Sequence, residues 1–314
     1  MLNRRHLRVK VMQMLYAFEQ SDVKDIRKQE KNLLASVDKV FEMYISLLTL
    51  IVDVAQYAET DATDRANKHL PSEEDLNANL KILDNRFIQL LLKNTEYVDA
   101  VKKYKVSWNF DPELAKSLFN TLKNSEEYKQ YLLKTDDDLS SDKDIIKFIF
   151  KKVILKSTLA QQALEEAHLN WQVDQDVLQA MIAKTLKNFS SEVGEQKLAQ
   201  ISASWIEDRE FIVDLFQKTI AHDDAFQKLI SGKTKNWDAE RIALLDVILM
   251  KMALAELIYF TNIPVKVTIN EYLEIAKEFS TPKSNVFING ILDKVLAELK
   301  EQGKIKKYGR GLVD

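Results

Sequence analysis

Cysteine is missing from all 314 residues, which removes disulfides, thiolate metal sites and cysteine nucleophiles from consideration. That absence fits a reducing compartment, and a cytoplasmic protein is the expectation. Glycine and proline are scarce as well. Six and four in the whole chain leave few positions for tight hairpin turns, while Leu, Ala, Lys, Glu and Ile recur throughout. The fold class this predicts is all-α. Histidine occurs only at His6, His69, His168 and His222, never at a two-histidine metal spacing, so neither a metal nor another cofactor is expected. An uninterrupted membrane-length apolar run is lacking too. The longest hydrophobic stretch, Ile242 to Phe260, is broken by Asp246, Lys251 and Glu256, each costing about 2.5 to 3.5 kcal/mol at a bilayer centre. It reads as a buried helix, and the basic start Met1 to Lys10 has no apolar run of a secretory signal.

What is present is unevenly charged. The formal net charge of −3 conceals a division, because residues 20–205 carry 25 Lys plus Arg against 30 Asp plus Glu while the rest of the chain is net positive. Residues 1–18 hold Arg4, Arg5, Arg8 and Lys10 and no acid. Local sign governs attraction of phosphates more than the total does.

Helical periodicity starts at once, with Leu7, Val11, Met14, Leu15 and Phe18 on one stripe of a first helix from about Arg4 to Gln20. Further helical patterns run roughly over 30–60, 73–104, 111–134, 142–168, 174–189 and 205–230. Three helices close the chain. Asp238 is the expected N-cap of the helix ending near Phe260, Pro264 starts the next, and a break at Ser280 to Ser284 precedes a last helix ending near Gly303. Gly290 inside that helix costs about 1 kcal/mol relative to Ala, which predicts close approach of another helix.

Two apparent motifs dissolve on inspection. Ser231-Gly232-Lys233-Thr234 has Gln227 where a phosphate-binding loop needs its first Gly, and no strand precedes it. The acidic run Asp136 to Asp144 lacks the Gly and closing Glu of a calcium loop and reads as a solvated helix start. No serine sits in a G-x-S-x-G elbow, so catalysis has no positive support and a non-enzyme is expected.

The informative feature is a flank of the first helix. Arg5, Arg8, Met12 and Tyr16 are spaced i, i+3, i+7 and i+11 beside the apolar stripe, combining cations with a flat aromatic. Single-stranded RNA is gripped by that combination, guanidiniums on phosphates and bases on rings. An ordinary solvated face with Tyr16 half-buried has the same spacing.

Arg4-Arg5-His6-Leu7-Arg8 followed by Met12-Gln13-Met14-Leu15-Tyr16 resembles the arginine-rich first helix of the NusB family. Asp238 to Asp246, Ala255-Glu256-Leu257, Ile263 to Glu271 and Phe287 to Asp293 resemble its carboxyl-terminal helices in order and spacing. The resemblance covers about residues 1–20 and 205–300. It implies a double three-helix bundle and an antitermination role, with binding of boxA-type single-stranded RNA together with the ribosomal protein NusE in the RNA polymerase antitermination complex. Carried onto this chain, it implies an RNA surface of Arg4, Arg5, Arg8, Tyr16, Lys283, Ser284 and Phe287, and a NusE-facing pair, Glu240 and Asp246. Asn270 and Glu271 read as helix-start and packing residues. Lys283 departs from the acidic residue common there, and a cation beside phosphates strengthens attraction.

The expected organisation is a first helix at 1–20, a helical insertion at 21–204 with no counterpart in compact family members, core helices at 205–302 and a basic tail at 303–314. The insertion carries aromatics that look exposed, Tyr97, Tyr104, Trp108, Tyr128 and Tyr131, and an apolar cluster from Leu47 to Val52 that needs burial. The ribosomal RNA cytosine methyltransferases, which carry a NusB-like domain, are not the expected reading, because these residues contain neither a Gly-rich α/β unit nor the nucleophilic cysteine. The remaining rival is a helical module that binds protein alone.

Overall fold

The computed structural model describes residues 1–108, 111–134, 138–190, 196–234 and 242–308, and among these the regular structure is helical without a strand. In chain order the α-helices are α1 (Arg4–Gln20), α2 (Ile26–Ala66), α3 (Glu73–Leu76), α4 (Arg86–Lys93), α5 (Thr95–Tyr104), α6 (Pro112–Lys123), α7 (Glu126–Leu133) and α8 (Leu139–Phe148). A π-helical turn, Ile149–Ile154, continues α8; α9 (Thr158–Ala167), α10 (Trp171–Asn188), α11 (Trp205–Ala221), α12 (Asp223–Lys233), α13 (Leu244–Tyr259), α14 (Val265–Phe279) and α15 (Ser284–Glu301) follow. No described helix is long and apolar enough to cross a membrane.

Several predicted helices are divided because a polar side chain caps a fresh start. Asn85, Asn94, Ser125 and Ser157 each accept a backbone N–H from the third residue on, which splits the 73–104, 111–134 and 142–168 patterns. The described start of α13 follows Ala243; the predicted cap Asp238 lies outside the described residues. Ser231, Gly232 and Lys233 form the last turn of α12, not a phosphate loop. In the acidic run, Asp136 and Asp137 are not described, Asp138 caps α8, and Asp142 is buried instead of solvated.

The chain divides into two compact units. One comprises Met1 and Asp38–Ile201, the other Leu2–Val37 and Ser202–Asp314, so α2 contributes to both.

The Asp38–Ile201 unit is organised around α2. From Val40 to Ala58 that helix is apolar nearly all round, with Leu47, Leu48, Leu50 and Ile51 fully buried, as a helix must be when neighbours cover it on every side. Several polar groups that this burial traps are answered. Trp108 donates its ring N–H to the Ser46 carbonyl at 2.9 Å, Tyr97 and Thr49 share a hydrogen bond of 3.1 Å, and Tyr44 bonds Thr185. Four of the aromatics read as exposed, Tyr97, Trp108, Tyr128 and Tyr131, are therefore corrected to core. Their polar tips made them look like surface residues, but Tyr131 donates to buried Asp142 at 2.7 Å. Tyr104 is half-buried and donates to Asp38.

In the second unit α13 is the hub, packed against α1, α11, α12, α14 and α15. Eleven of its 16 residues are buried, including Asp246, Lys251 and Glu256, whose charges are met by neighbours. Gly290 of α15 is exposed, and an added Cβ there would meet nothing within 4 Å, so the expected close approach is absent among the described residues. Gly303, at a φ of +64°, ends α15 in the left-handed region where glycine is favoured.

Leu254, fully buried at the hub, gives a direct test of this packing. Leu254→Ala is expected to lower unfolding free energy by about 2 to 5 kcal/mol, read from urea transitions. An unchanged midpoint would contradict the hub role of α13.

Candidate nucleic-acid interface

The first helix begins with a reciprocal cap. Asn3 accepts from the His6 backbone N–H at 3.0 Å, and the Asn3 N–H donates to the His6 ring at 3.2 Å. This fixes the entry of α1 just before its three arginines. Leu7, Val11, Leu15 and Phe18 are buried as the stripe predicts, with Met14 half-buried. Because α1 is enclosed by α11, α13 and α14, the buried arc is wider than the stripe and also takes in Arg8, Lys10 and Met12.

Arg8 is 2% exposed. Its Nε and Nη2 donate to the two carboxylate oxygens of Glu256, both at 2.8 Å, and Glu256 also accepts from Thr268 at 2.7 Å and Tyr272 at 3.2 Å. Burial opposes the charge on Arg8, yet the bond from Glu256 and the negative charge of Glu256 and Glu271 hold its proton above the ordinary arginine range. Arg8 therefore leaves the expected RNA surface, because a guanidinium enclosed by its carboxylate presents no donor to a phosphate. A signal for it was present in the sequence. Glu256 interrupts the longest apolar run, and a carboxylate in a buried helix requires a cation.

Arg4 and Arg5 retain access, with about 40% of each side chain exposed. Arg5 forks onto Glu271 at 2.8 and 3.1 Å, while Arg4 lies 4.3 Å over the Phe211 ring and 3.4 Å from Asp208. The Arg5 bond holds the Glu271 carboxyl below the usual carboxylate range. All three arginines line one cleft of about 850 Å³, where Glu207, Glu210, Asp214 and Glu271 face them. The flank that is purely basic in sequence is thus locally balanced in space. Tyr16 is 44% exposed, eight residues beyond Arg8 and so roughly 12 Å along the helix.

The second group lies where α15 begins, against the start of α13. Ser284 is buried and donates to Asp246 Oδ2 at 2.7 Å, and Ser280 donates to Oδ1 at 2.6 Å. Asp246 thereby ties the first turn of α13 to the turn before α15. Ser284 and Asp246 are corrected from contact residues to supports, since each other's atoms satisfy them away from solvent. Lys283 is exposed beside them, Phe287 is half-buried and Val286 is 71% exposed. Glu240 lies outside the described residues. Asp246 and Glu256 are ten residues apart on α13, so the arginine group and the Lys283 turn are separated by roughly 15 Å along its axis.

The tail contributes one half-buried cation. Lys307 donates to the carbonyls of Phe260 at 2.8 Å and Glu256 at 3.1 Å, near the end of α13, while Lys304 and Lys306 are exposed. A cation at a helix carboxyl end is favoured by the carbonyls left open there.

Residues 158–297 match the family model described as the NusB family. The match starts at α9, inside the 21–204 segment that the sequence reading sets apart, and reaches α15. The chain is 41% identical over 105 residues to the "Transcription antitermination protein NusB" of Salinibacter ruber, covering 33% of this chain and 66% of the relative. Identity is 40% over 122 residues to the protein of that name from Chloroherpeton thalassium, 39% of this chain and 56% of the relative. With the one from Geobacter sulfurreducens it is 41% over 95 residues, 30% of this chain and 69% of the relative. The chain thus spans less than two thirds of the length of the first two. No solved structure matches it significantly.

Two measurements follow from the geometry. Glu256→Ala, which strands Arg8 without its carboxylate, is expected to cost about 3 to 5 kcal/mol in urea unfolding, and Arg8→Met with Glu256→Met should recover most of that. A loss under 1 kcal/mol in the single variant would contradict the pairing as described. Because the folded-state value of Glu271 lies below its unfolded one, its bond stabilises the fold at neutral pH and is lost as pH falls through the lowered value. Stability of Glu271→Gln should accordingly fall less steeply than wild type below about pH 4.3; parallel acid limbs would refute the linkage.

Proposed function

The chain belongs to the NusB family, and from that membership we propose that it is an RNA-binding transcription antitermination factor, acting by binding and not by catalysis. Its relatives carry that activity in their names, and the identity to them is the observation that carries the reading. Packing adds support, since the arginine-bearing α1 docks on α11, α13 and α14, all within the matched residues, although some 140 residues separate it from the start of the match.

The proposed ligand is single-stranded RNA of the boxA type, bound together with the ribosomal protein NusE in the RNA polymerase antitermination complex, in the cytoplasm. Arg4, Arg5 and Tyr16 form one contact group, and Lys283 with Phe287 a second. Arg8, Ser284 and Asp246 position those groups without touching RNA. Glu240 remains the candidate NusE contact. The ion pair of Arg5 does not oppose this role. Part-exposed pairs are worth about 0 to 1 kcal/mol, so a phosphate can take over the guanidinium at small cost.

The acids facing the arginine cleft favour a second reading, a helical module that binds protein alone. Fluorescence anisotropy with boxA-type and scrambled RNA, with and without NusE, separates the two. The RNA reading expects boxA-type RNA to bind about tenfold tighter than scrambled RNA, with affinity falling as salt is added. Tyr16→Ala should weaken it by about five- to 150-fold, the equivalent of 1 to 3 kcal/mol of stacking. No RNA binding in either condition would leave the protein-only module.

A further inference from the structure

A second cleft, of about 820 Å³, lies wholly within the Asp38–Ile201 unit, between α2, the turn Lys81–Asp84, α4 and α6. Its walls mix apolar residues, Ile82, Leu83, Leu92 and Trp108 among them, with polar Gln56, Thr60 and Gln89. Its charged lining is of one sign, Asp53, Glu59 and Asp111, without a Lys, Arg or His among the described residues.

Asp53 is the informative group. It is half-buried, and no hydrogen bond or ion pair to it exists among the described residues, while partial burial pushes its carboxyl up to about 6. Other withdrawn carboxylates of this unit are answered. Asp142 accepts from Tyr131 and from the Arg86 backbone N–H, and Asp61 meets Lys123 and Arg65. Even Asp111 in the same cleft accepts from the Leu114 backbone N–H. A half-buried carboxylate without a counter-charge carries a partial desolvation cost that no cation among the described residues offsets. A cation entering the cleft removes it, and an apolar stem or flank covers the walls. The excess of acids over bases across residues 20–205 attracts a basic partner toward the same unit.

We propose that this cleft is a docking site for a lysine or arginine side chain carried between apolar residues on a segment of a protein partner. The cleft is too large for one ammonium group, and the apolar part of its walls is what the flanking residues of such a segment would cover. The inference is separate from the RNA reading, whose residues belong to the other unit.

The test uses the full chain, amide NMR spectra, and the blocked peptide acetyl-Leu-Ala-Lys-Ala-Leu-amide as probe. Saturable shifts are expected at the α2, α4 and α6 residues lining the cleft. The same peptide with norleucine in place of lysine should bind about tenfold more weakly or worse, and Asp53→Asn should reduce the lysine peptide to the norleucine level. Ala115→Trp, which fills the cleft from α6, should abolish binding and serves if Asp53→Asn does not fold. Equal binding of the two peptides, or unchanged binding in a folded Asp53→Asn, overturns the proposal by leaving only an apolar groove. n-Butylammonium binding as tightly as the peptide overturns it in favour of a small-amine site, and absence of shifts overturns it outright.

Discussion

A guanidinium and a carboxylate removed from water each lose hydration worth several kcal/mol, and they persist inside a protein only where their geometry compensates. Arg8 and Glu256 meet that condition, fork to fork, with Thr268 and Tyr272 taking the remaining acceptor positions of the carboxylate. The pair fixes which part of α1 faces α13 and which part of α14 closes over both. A slip of α1 by one residue would turn Arg8 through 100° and leave Glu256 buried without a cation. The placement of every other side chain on the first helix depends on that register.

From this constraint the character of the candidate interface follows. With Arg8 directed inward, Arg4 and Arg5 stand on either side of it at the surface, one over Phe211 and the other on Glu271. Tyr16 is carried outward two turns further along. The Asp246 tie does comparable work at the start of α13, where two serines hold the turn that presents Lys283. Both groups are supported from beneath by buried charge, and the exposed residues are few.

The Asp38–Ile201 unit is built on a different solution. There an apolar helix, α2, is covered on all sides, and the trapped hydroxyls and ring N–H groups bond one another or nearby carbonyls. Among the described residues, the half-buried Asp53 and the buried Nε2 of His168 are exceptions to that scheme.

Much of this was legible in the chain itself. Scarce Gly and Pro with helical periodicity give an all-α fold, because helices need only local hydrogen bonds and a repeating apolar face. The family blocks at both ends likewise depend on local order and spacing. Tertiary structure alone decided the outward or inward fate of individual polar residues: Arg8, Asp246 and Ser284 went inward, and Tyr97, Trp108, Tyr128 and Tyr131 joined a core. A helical wheel reports the direction of a side chain from its own axis and nothing about how many neighbours enclose that axis. Whether a cation meets water or a carboxylate some 250 residues away is a long-range fact, set by packing that periodicity does not encode.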